Sequence, residues 1–493
     1  MIQLKNYTEE YAPLYGEYDV VVVGGGMAGT GAAIAAARAG AKTILIENTS
    51  ALGGLATMGI VNIPLDFLSG LGKELFERLV ACNGLWRRNT DPEKHKLVFD
   101  QMVKESGCDL LLVTPLVDTI VDGDTVVGII IHTKEGRRAI MGKRFVDASG
   151  DSDLVYFAGG EVEVGREIDH MSMGCSLEFV LGGVDYDKYQ ASELRMTDPQ
   201  WILMLSDAIA EGRIPDIDNH LNWMTHIPGR PEHCGMDEVS ICFAHSRNCF
   251  PTDNKDLTRM YIEGREQAIM LTDFIRENVP GFEKAYLGYT GSLLGVRESR
   301  RIIGEYIFSG MDIAYARKFD DVISISQHGF DLHGFEAAGN PKWIKGTLPD
   351  GREGYISNRA GWGSQRPPED GLPRINMKEC IPDGVYYYDI PYRSLVPIRL
   401  ENVLAAGRNL SADIPGQSGT RLVMCCMSLG EAAGTAAAMS IKEDVRLRDL
   451  DVAKLQNELV ANGLNLGQKF RTVLDPEYTT QKEYKGDMTV NND

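Results

Sequence analysis

Residues 18–23 (YDVVVV) are an unbroken β-branched run, the pattern of a parallel strand buried on both faces. Glycines follow at once in GGGMAG (24–29), and an alanine-rich stretch to about 39 reads as a helix closed by Gly40. Residues 42–46 (KTILI) form the next strand pattern, ended by Glu47. Helical spacing recurs at 70–82 and 92–106, and strand patterns follow at 110–113, 117–121, 126–132 and 138–147. This order puts a β-meander before a final parallel strand, which is not the order of a simple dehydrogenase.

The middle, from about 161 to 389, is irregular and richer in Trp, Pro, His and loop signals. Near the end the strand pattern returns at 403–406, followed by Gly407-Arg408-Asn409-Leu410 and a small-residue helix predicted over 420–439. The expected fold is α/β: a discontinuous Rossmann-like nucleotide domain with an inserted α+β substrate domain. The boundaries read as 1–160 and 390–445 for the nucleotide domain, 161–389 for the insert and 446–493 for an extension. No internal repeat is visible.

Composition narrows the partners. A chain of 493 residues, 43% hydrophobic and 24% charged, is ordinary for a globular protein, and its 53 glycines point to tight turns and close backbone approaches. A net charge of −20 argues against nucleic acid, which binds basic surfaces. No run of 18 apolar residues appears and residues 1–19 lack a signal-peptide core, so the expectation is a cytoplasmic protein without a membrane partner. Nine cysteines without framework spacing fit reduced thiols. Homo-oligomerisation is compatible with all of this.

The GxGxxG fingerprint is weak alone, but here a strand precedes it, a helix follows it, and an acid ends the second strand 23 residues after Gly24. In that context Gly24 makes the turn, Gly26 admits a pyrophosphate, Gly29 lets helix and strand pack, and Glu47 accepts a ribose hydroxyl. Bound anions are then held by backbone N–H groups at a helix N-terminus.

The motifs VVVGGGMAGTGAAIAAARAGAKTILIE (21–47), LGGLATMG (52–59), FVDASGDSDLVYFAG (145–159), GVRESRRIIGEY (295–306) and DLHG (331–334) occur in this order. They are followed by IPYRSLVP (390–397), ENVLAAGRNLSAD (401–413) and GTRLVMCCMSLGEAAGTAAA (419–438). Together they resemble the FAD-dependent oxidoreductases of the glutathione-reductase-like two-dinucleotide-binding superfamily, distantly related to fumarate-reductase flavoproteins. Met27 stands where relatives commonly carry proline or alanine. The resemblance implies FAD, held by Gly24, Gly26, Met27, Ala28, Gly29, Glu47 and Asn48, with Val117 on a later strand. It also implies that Gly53 and Gly54 run under the pyrophosphate, with Thr57 and Met58 near the flavin ring. Ser149, Gly150 and Asp151 would lie against FAD, as would Gly407 and Arg408. The helix from Thr420 would aim its N-terminus at the flavin's pyrimidine edge, and Arg421 in its first turn, a candidate catalytic residue, would add a full charge there or grip an anionic substrate.

Candidate chemistry completes the expectation. Asp331 and His333 fall on one side of an extended chain and form a candidate general base. Arg297 and Arg300 share a face if their segment is helical, whereas a strand would align Arg297 with Arg301. Two converging guanidinium groups suit an anionic substrate group, or else brace the domain. Cys425 and Cys426 point to different helix faces and read as buried small residues. Two sets, His328/Asp331/His333 and His233/Cys234/Cys242/His245/Cys249, lack recognised zinc spacing, and no metal is expected. The reading is hydride transfer between a small organic substrate and flavin N5, with the electron acceptor unspecified. The alternatives are a flavin-dependent reductase of an activated double bond and a non-catalytic FAD-binding electron-transfer subunit.

Overall fold

The structure, a computed structural model, describes residues 12–467 apart from 67, 87–88, 195, 197–198, 218–220, 222, 228–236, 337–338, 360 and 382–385. The chain opens with strand β1 (Leu14–Val23), helix α1 (Met27–Arg38) and strand β2 (Thr43–Ile46). Helices α2 (Gly70–Ala81) and α3 (Pro92–Ser106) precede β3 (Asp109–Leu111), β4 (Leu116–Asp122), β5 (Thr125–Thr133) and β6 (Gly136–Asp147). β1 pairs in parallel with β2 and β6, and β2 with β3; the apolar ends of β1 and β2 are fully buried, as their unbroken β-branched runs require.

Opposite β1, the other edge of β6 has two partners. Its first half closes an antiparallel meander with β4 and β5, while residues 145–147 pair in parallel with the late strand Val403–Ala405. The seven-stranded sheet therefore contains segments from both ends of the chain.

Between these segments lies an antiparallel sheet of β7 (Cys175–Val184), β8 (Trp223–His226), β9 (Asp237–Ser246) and β10 (Tyr286–Thr290). The 25-residue helix α4 (Asn254–Asn278) packs on its outer face, where Phe179, Leu181, Ile241 and Phe243 meet Leu271, Phe274 and Ile275. Its inner face meets the loop after the fingerprint. Ser240 donates to the Ile60 carbonyl at 3.3 Å, Thr225 donates to Asn62, and the Met58 carbonyl accepts from Ser292 and Leu293.

Strand β11 (Val403–Ala405) leads to α5 (Ile414–Thr420) and α6 (Val423–Lys442). The single helix predicted over 420–439 is thus two helices meeting at 91°. Leu422 between them is extended (ψ 150°), and the Met424 N–H is drawn to the Leu65 carbonyl. Thr420 and Arg421 consequently end α5 instead of opening α6. α6 packs on α1 at backbone contact: a Cβ on Gly430 would lie 1.9 Å from the Ala28 carbonyl oxygen, and one on Gly434 2.0 Å from that of Ala32. Its small residues serve close packing, including buried Cys425; Cys426 is half-buried, and neither is in a disulfide. Among the described residues no single helix is long and apolar enough to cross a membrane.

Candidate active site

The fingerprint loop is built by close contacts. Gly24 has φ +97°, and a Cβ there would lie 2.4 Å from the Ala148 carbonyl oxygen. A Cβ on Gly29 would lie 1.7 Å from the Gly24 carbonyl oxygen, so helix and turn touch directly. Gly26 is different. It precedes α1 with an ordinary φ of −66°, and a Cβ there would meet nothing within 4 Å. α1 has no side-chain cap and no acid in its first turn, so its leading N–H groups, from Met27 and Ala28 onward, face a position suited to an anion.

Gly53 bridges to Gly26 and donates to the Gly25 carbonyl at 2.8 Å; a Cβ on Gly54 would sit 3.0 Å from the Gly26 Cα. The second glycine pair therefore abuts the first. Thr57 spends its hydroxyl on the Leu52 and Gly54 carbonyls, bracing the loop, while Met58 faces the inserted sheet through its carbonyl. Glu47 is 8% exposed and accepts the Gly25 and Thr49 N–H groups, one on each oxygen. That leaves each oxygen a further lone pair for a ribose hydroxyl. Asn48 follows it, and residues 113–114 return beside it through bonds to Glu47 and Thr49, three residues before half-buried Val117.

The turn after β6 is a knot. Asp147 is fully buried, which pushes its carboxyl up to about 6, and it accepts from the Ser149 hydroxyl (2.7 Å) and the Val155 N–H (2.9 Å). Arg408 donates to the Gly150 and Val296 carbonyls and pairs with Asp151 at 2.7 Å, so its guanidinium is engaged by protein. Gly407 instead reaches the fingerprint: a Cβ there would lie 3.1 Å from the Ala28 Cβ. Thr420 is buried, its hydroxyl bonded to the Gly416 and Gln417 carbonyls within α5.

Of the five candidate catalytic residues, four converge. One terminal nitrogen of Arg421 bonds both the carbonyl (2.9 Å) and the carboxylate (2.7 Å) of Asp331. The other Asp331 oxygen lies 3.4 Å from His333 Nε2. Arg297 and His333 line a small cavity together with His245 and Arg247. Burial would raise the Asp331 carboxyl, but Arg421 and His333 outweigh it and hold the group well below its usual range. Burial, helped by Arg297 and Arg421, pushes His333 well below the usual histidine value, so its imidazole is neutral at pH 7.

Arg300 does not join them. The segment is neither a helix nor one continuous strand: residues 300–302 alone pair with Val162–Val164. Arg300 therefore turns to Asp153 (2.7 Å) and stacks on Tyr156. Arg301 forms a buried pair with Glu298 at 2.7 Å and bonds the Ala412 and Gly165 carbonyls. The bracing role holds for these two arginines, and Arg297 alone reaches the cavity.

Three inner-face residues of the inserted sheet were not singled out as catalytic from sequence. Ser176 on β7 faces His245 on β9, its Oγ 2.6 Å from Nδ1. Glu178, two residues along the same face, is buried beside Arg297 with Oε2 unbonded, and burial pushes it well above the usual carboxyl value. A serine and a glutamate alternating with Leu177 and Phe179 in a buried strand were the available signal. Among the described residues no group of three or more His, Cys, Asp or Glu could hold a metal ion; His233 and Cys234 lie outside them.

A parallel sheet whose glycine-lined mouth opens on an uncapped helix, with buried acid, base and arginines nearby, defines a dinucleotide-dependent redox enzyme. The chain matches the FAD dependent oxidoreductase family over residues 19–459 and belongs to it. It is an oxidoreductase with FAD as cofactor, and the open space at Gly26, the apposed glycine pairs and Glu47 fit that group. Some solved structures are distantly similar to it. A geranylgeranyl bacteriochlorophyll reductase-like protein from Thermoplasma acidophilum is 12% identical, with 91% of this chain and 84% of that one covered at a TM-score of 0.40. The flavin-dependent brominase Bmp2 is 14% identical over 90% and 83%, TM-score 0.40. The p-nitrophenol 4-monooxygenase PnpA from Pseudomonas putida is 13% identical over 59% and 70%, TM-score 0.36. Likenesses this distant pass on no substrate.

Proposed function

We propose that this enzyme exchanges a hydride between a small organic substrate and FAD, with His333 and Asp331 handling the accompanying proton. The observation that carries the reading is His333: a buried, neutral imidazole at a cavity wall, 3.4 Å from a carboxylate that Arg421 keeps ionised. FAD, when bound, supplies a two-electron acceptor or donor at flavin N5. The chain's own groups do the rest. Asp331 orients the imidazole through Nε2–H and stabilises the imidazolium formed when His333 Nδ1 takes a substrate proton. Arg421 keeps Asp331 charged.

Anaerobic mixing of the FAD-loaded enzyme with hydroxy acids, sugars and amines tests this. One class should bleach the flavin, and His333→Ala should keep FAD but slow the bleaching by about 10²–10⁴. Wild-type bleaching in that variant would leave His333 a structural residue.

A further inference from the structure

Asp331 has a second imidazole near it. His333 approaches one carboxylate oxygen, and His328, three residues back, lies close enough to help hold the carboxyl ionised. The two rings differ in access: His333 is 8% exposed, whereas His328 is half-buried. The cavity at the wall of His333 takes about one water, so a substrate meets this cluster from another side.

The segment that carries His328 is fixed at both ends. The Gln327 N–H donates to Asp66 at 3.2 Å, in the loop that follows the second glycine pair. The Asp331 N–H donates to Ser418 on α5, also at 3.2 Å. Between these anchors Gly329 lies against Asn358, where a Cβ would sit 1.6 Å from Oδ1, and Asn358 donates to the Phe330 carbonyl at 3.1 Å. The His328 N–H donates to Ser326 at 3.2 Å, and ring Nδ1 lies 3.0 Å from the Gly329 carbonyl oxygen. A carbonyl only accepts, so Nδ1 carries the hydrogen and Nε2 of the neutral ring carries the lone pair. Among the described residues no protein donor meets that nitrogen. A rigid segment joining the glycine loop to the α5–α6 corner therefore presents one preset acceptor beside Asp331.

We infer that His328 is a specificity residue of the site, its Nε2 accepting a hydrogen bond from a second O–H or N–H of the substrate. This rests on the proposed function, in which His333 takes the proton of the reacting group. A substrate held by both rings carries two donor groups close together, as sugars, polyols and amino alcohols do. An ether or carbonyl oxygen in the second place would face the Nε2 lone pair with nothing to donate, so such compounds are disfavoured. Because the ring is already fixed, little ordering cost is set against the bond.

The first measurement needs no substrate. NMR of the FAD-loaded protein with isotope-labelled histidine should show the neutral His328 ring carrying its hydrogen on Nδ1; hydrogen on Nε2 overturns the assignment. The second compares ethylene glycol, glycerol and ethanolamine with methoxyethanol, in which the second donor is capped. Each is titrated into the FAD-loaded protein by flavin difference spectrum and then tested for anaerobic bleaching. The compounds with two donors should bind about tenfold more tightly than methoxyethanol, the size of one added hydrogen bond. His328→Phe should weaken them about tenfold and leave methoxyethanol where it was, raising KM more than it lowers kcat. His328→Gln, whose side-chain oxygen also accepts, should keep most of the difference. The assignment is overturned if methoxyethanol binds wild type as well as the others do, or if His328→Phe lowers kcat at unchanged KM. The wild-type comparison decides the matter should the variants fail to fold. If none of the compounds bleaches the flavin, the hydride reading loses its support and the titrations stand alone. Equal affinities in wild type and His328→Phe then overturn the acceptor role, and a loss of about tenfold supports it.

Discussion

The three fingerprint glycines should fail in different ways when substituted. A Cβ on Gly26 meets no atom within 4 Å, and its φ of −66° suits any residue. Gly26→Val should therefore cost the apoprotein no more than about 1 kcal/mol, the usual range for a poorer N-cap. The same side chain would occupy the open space in front of α1, where the fingerprint leads us to expect the cofactor's pyrophosphate. Overpacking there costs roughly 1–3 kcal/mol, and the lost approach of phosphate to the helix N-terminus adds about 1 kcal/mol. Together these predict FAD affinity lowered by roughly 30- to 1,000-fold, at 1.4 kcal/mol per tenfold. Gly24→Ala and Gly29→Ala should behave oppositely, because their Cβ atoms would lie 2.4 and 1.7 Å from carbonyl oxygens. Those contacts require backbone movement, so each should destabilise folding by about 3 kcal/mol or more before any cofactor is added. Urea unfolding of the three apoproteins, followed by FAD titration monitored through flavin fluorescence, separates the two effects. A Gly26→Val protein that binds FAD like wild type would refute the placement, as would one whose apoprotein unfolds as easily as the Gly29 variant.

Three further outcomes follow from particular contacts. Arg300→Ala should leave flavin bleaching near the wild-type rate while His333→Ala slows it, since Arg300 pairs with Asp153 and stays out of the cavity; stopped-flow absorbance checks both. Asp331→Asn should lower thermal stability by about 3–5 kcal/mol, because Arg421 is left buried without its counter-ion; calorimetric melting tests it, and an unchanged Tm would show Arg421 finding another partner. Glu431 is buried at the α2–α6 contact with its carboxyl pushed up to about 8, so the native state holds a proton above 4.5 that the unfolded chain has released. Stability should fall as pH rises from about 5 to 8, by up to about 1.4 kcal/mol per pH unit, and Glu431→Gln should flatten that slope in denaturant titrations.

Local signals carried the nucleotide half of the fold. Helix 92–106 was predictable to the residue because Asp91 caps it by accepting from Glu93 and Lys94, and Gly107 ends it in the left-handed conformation. The late strand at 403–405 was legible from its apolar run, and its return to the nucleotide domain from the order of the motifs, whereas its pairing with 145–147 is visible only in the structure. The break at 421–422 was not. Small residues continue through it, and its causes are tertiary: Asp331 holding Arg421 and Leu65 drawing off the Met424 N–H. Arg297 and Arg300 were indistinguishable for a related reason, since their directions depend on Arg300–Ile302 pairing with a strand some 140 residues earlier.

The active-site wall shows why the remainder resisted reading. Ser176 and His245 meet only because β7 and β9 pair antiparallel in this register, and Arg297 comes beside Glu178 only because Gly295 bridges back to Ser176. No local pattern encodes a register between strands about 70 residues apart. What the sequence did carry was an inconsistency: a glutamate within CSLEFVLGGV, where one face is buried under α4 and the other should be equally apolar if it served packing alone. A buried carboxyl that gains no ion pair costs stability, and so does the unpaired Arg297 beside it. Two such costs in one contact are hard to explain as packing, because Met and Leu at these positions would fill the same volume without them. They make sense together as a coupled pair, in which burial raises the carboxyl and the neighbouring guanidinium pulls it back down. The cavity's charge is thus a property of the pair, which neither residue announces alone.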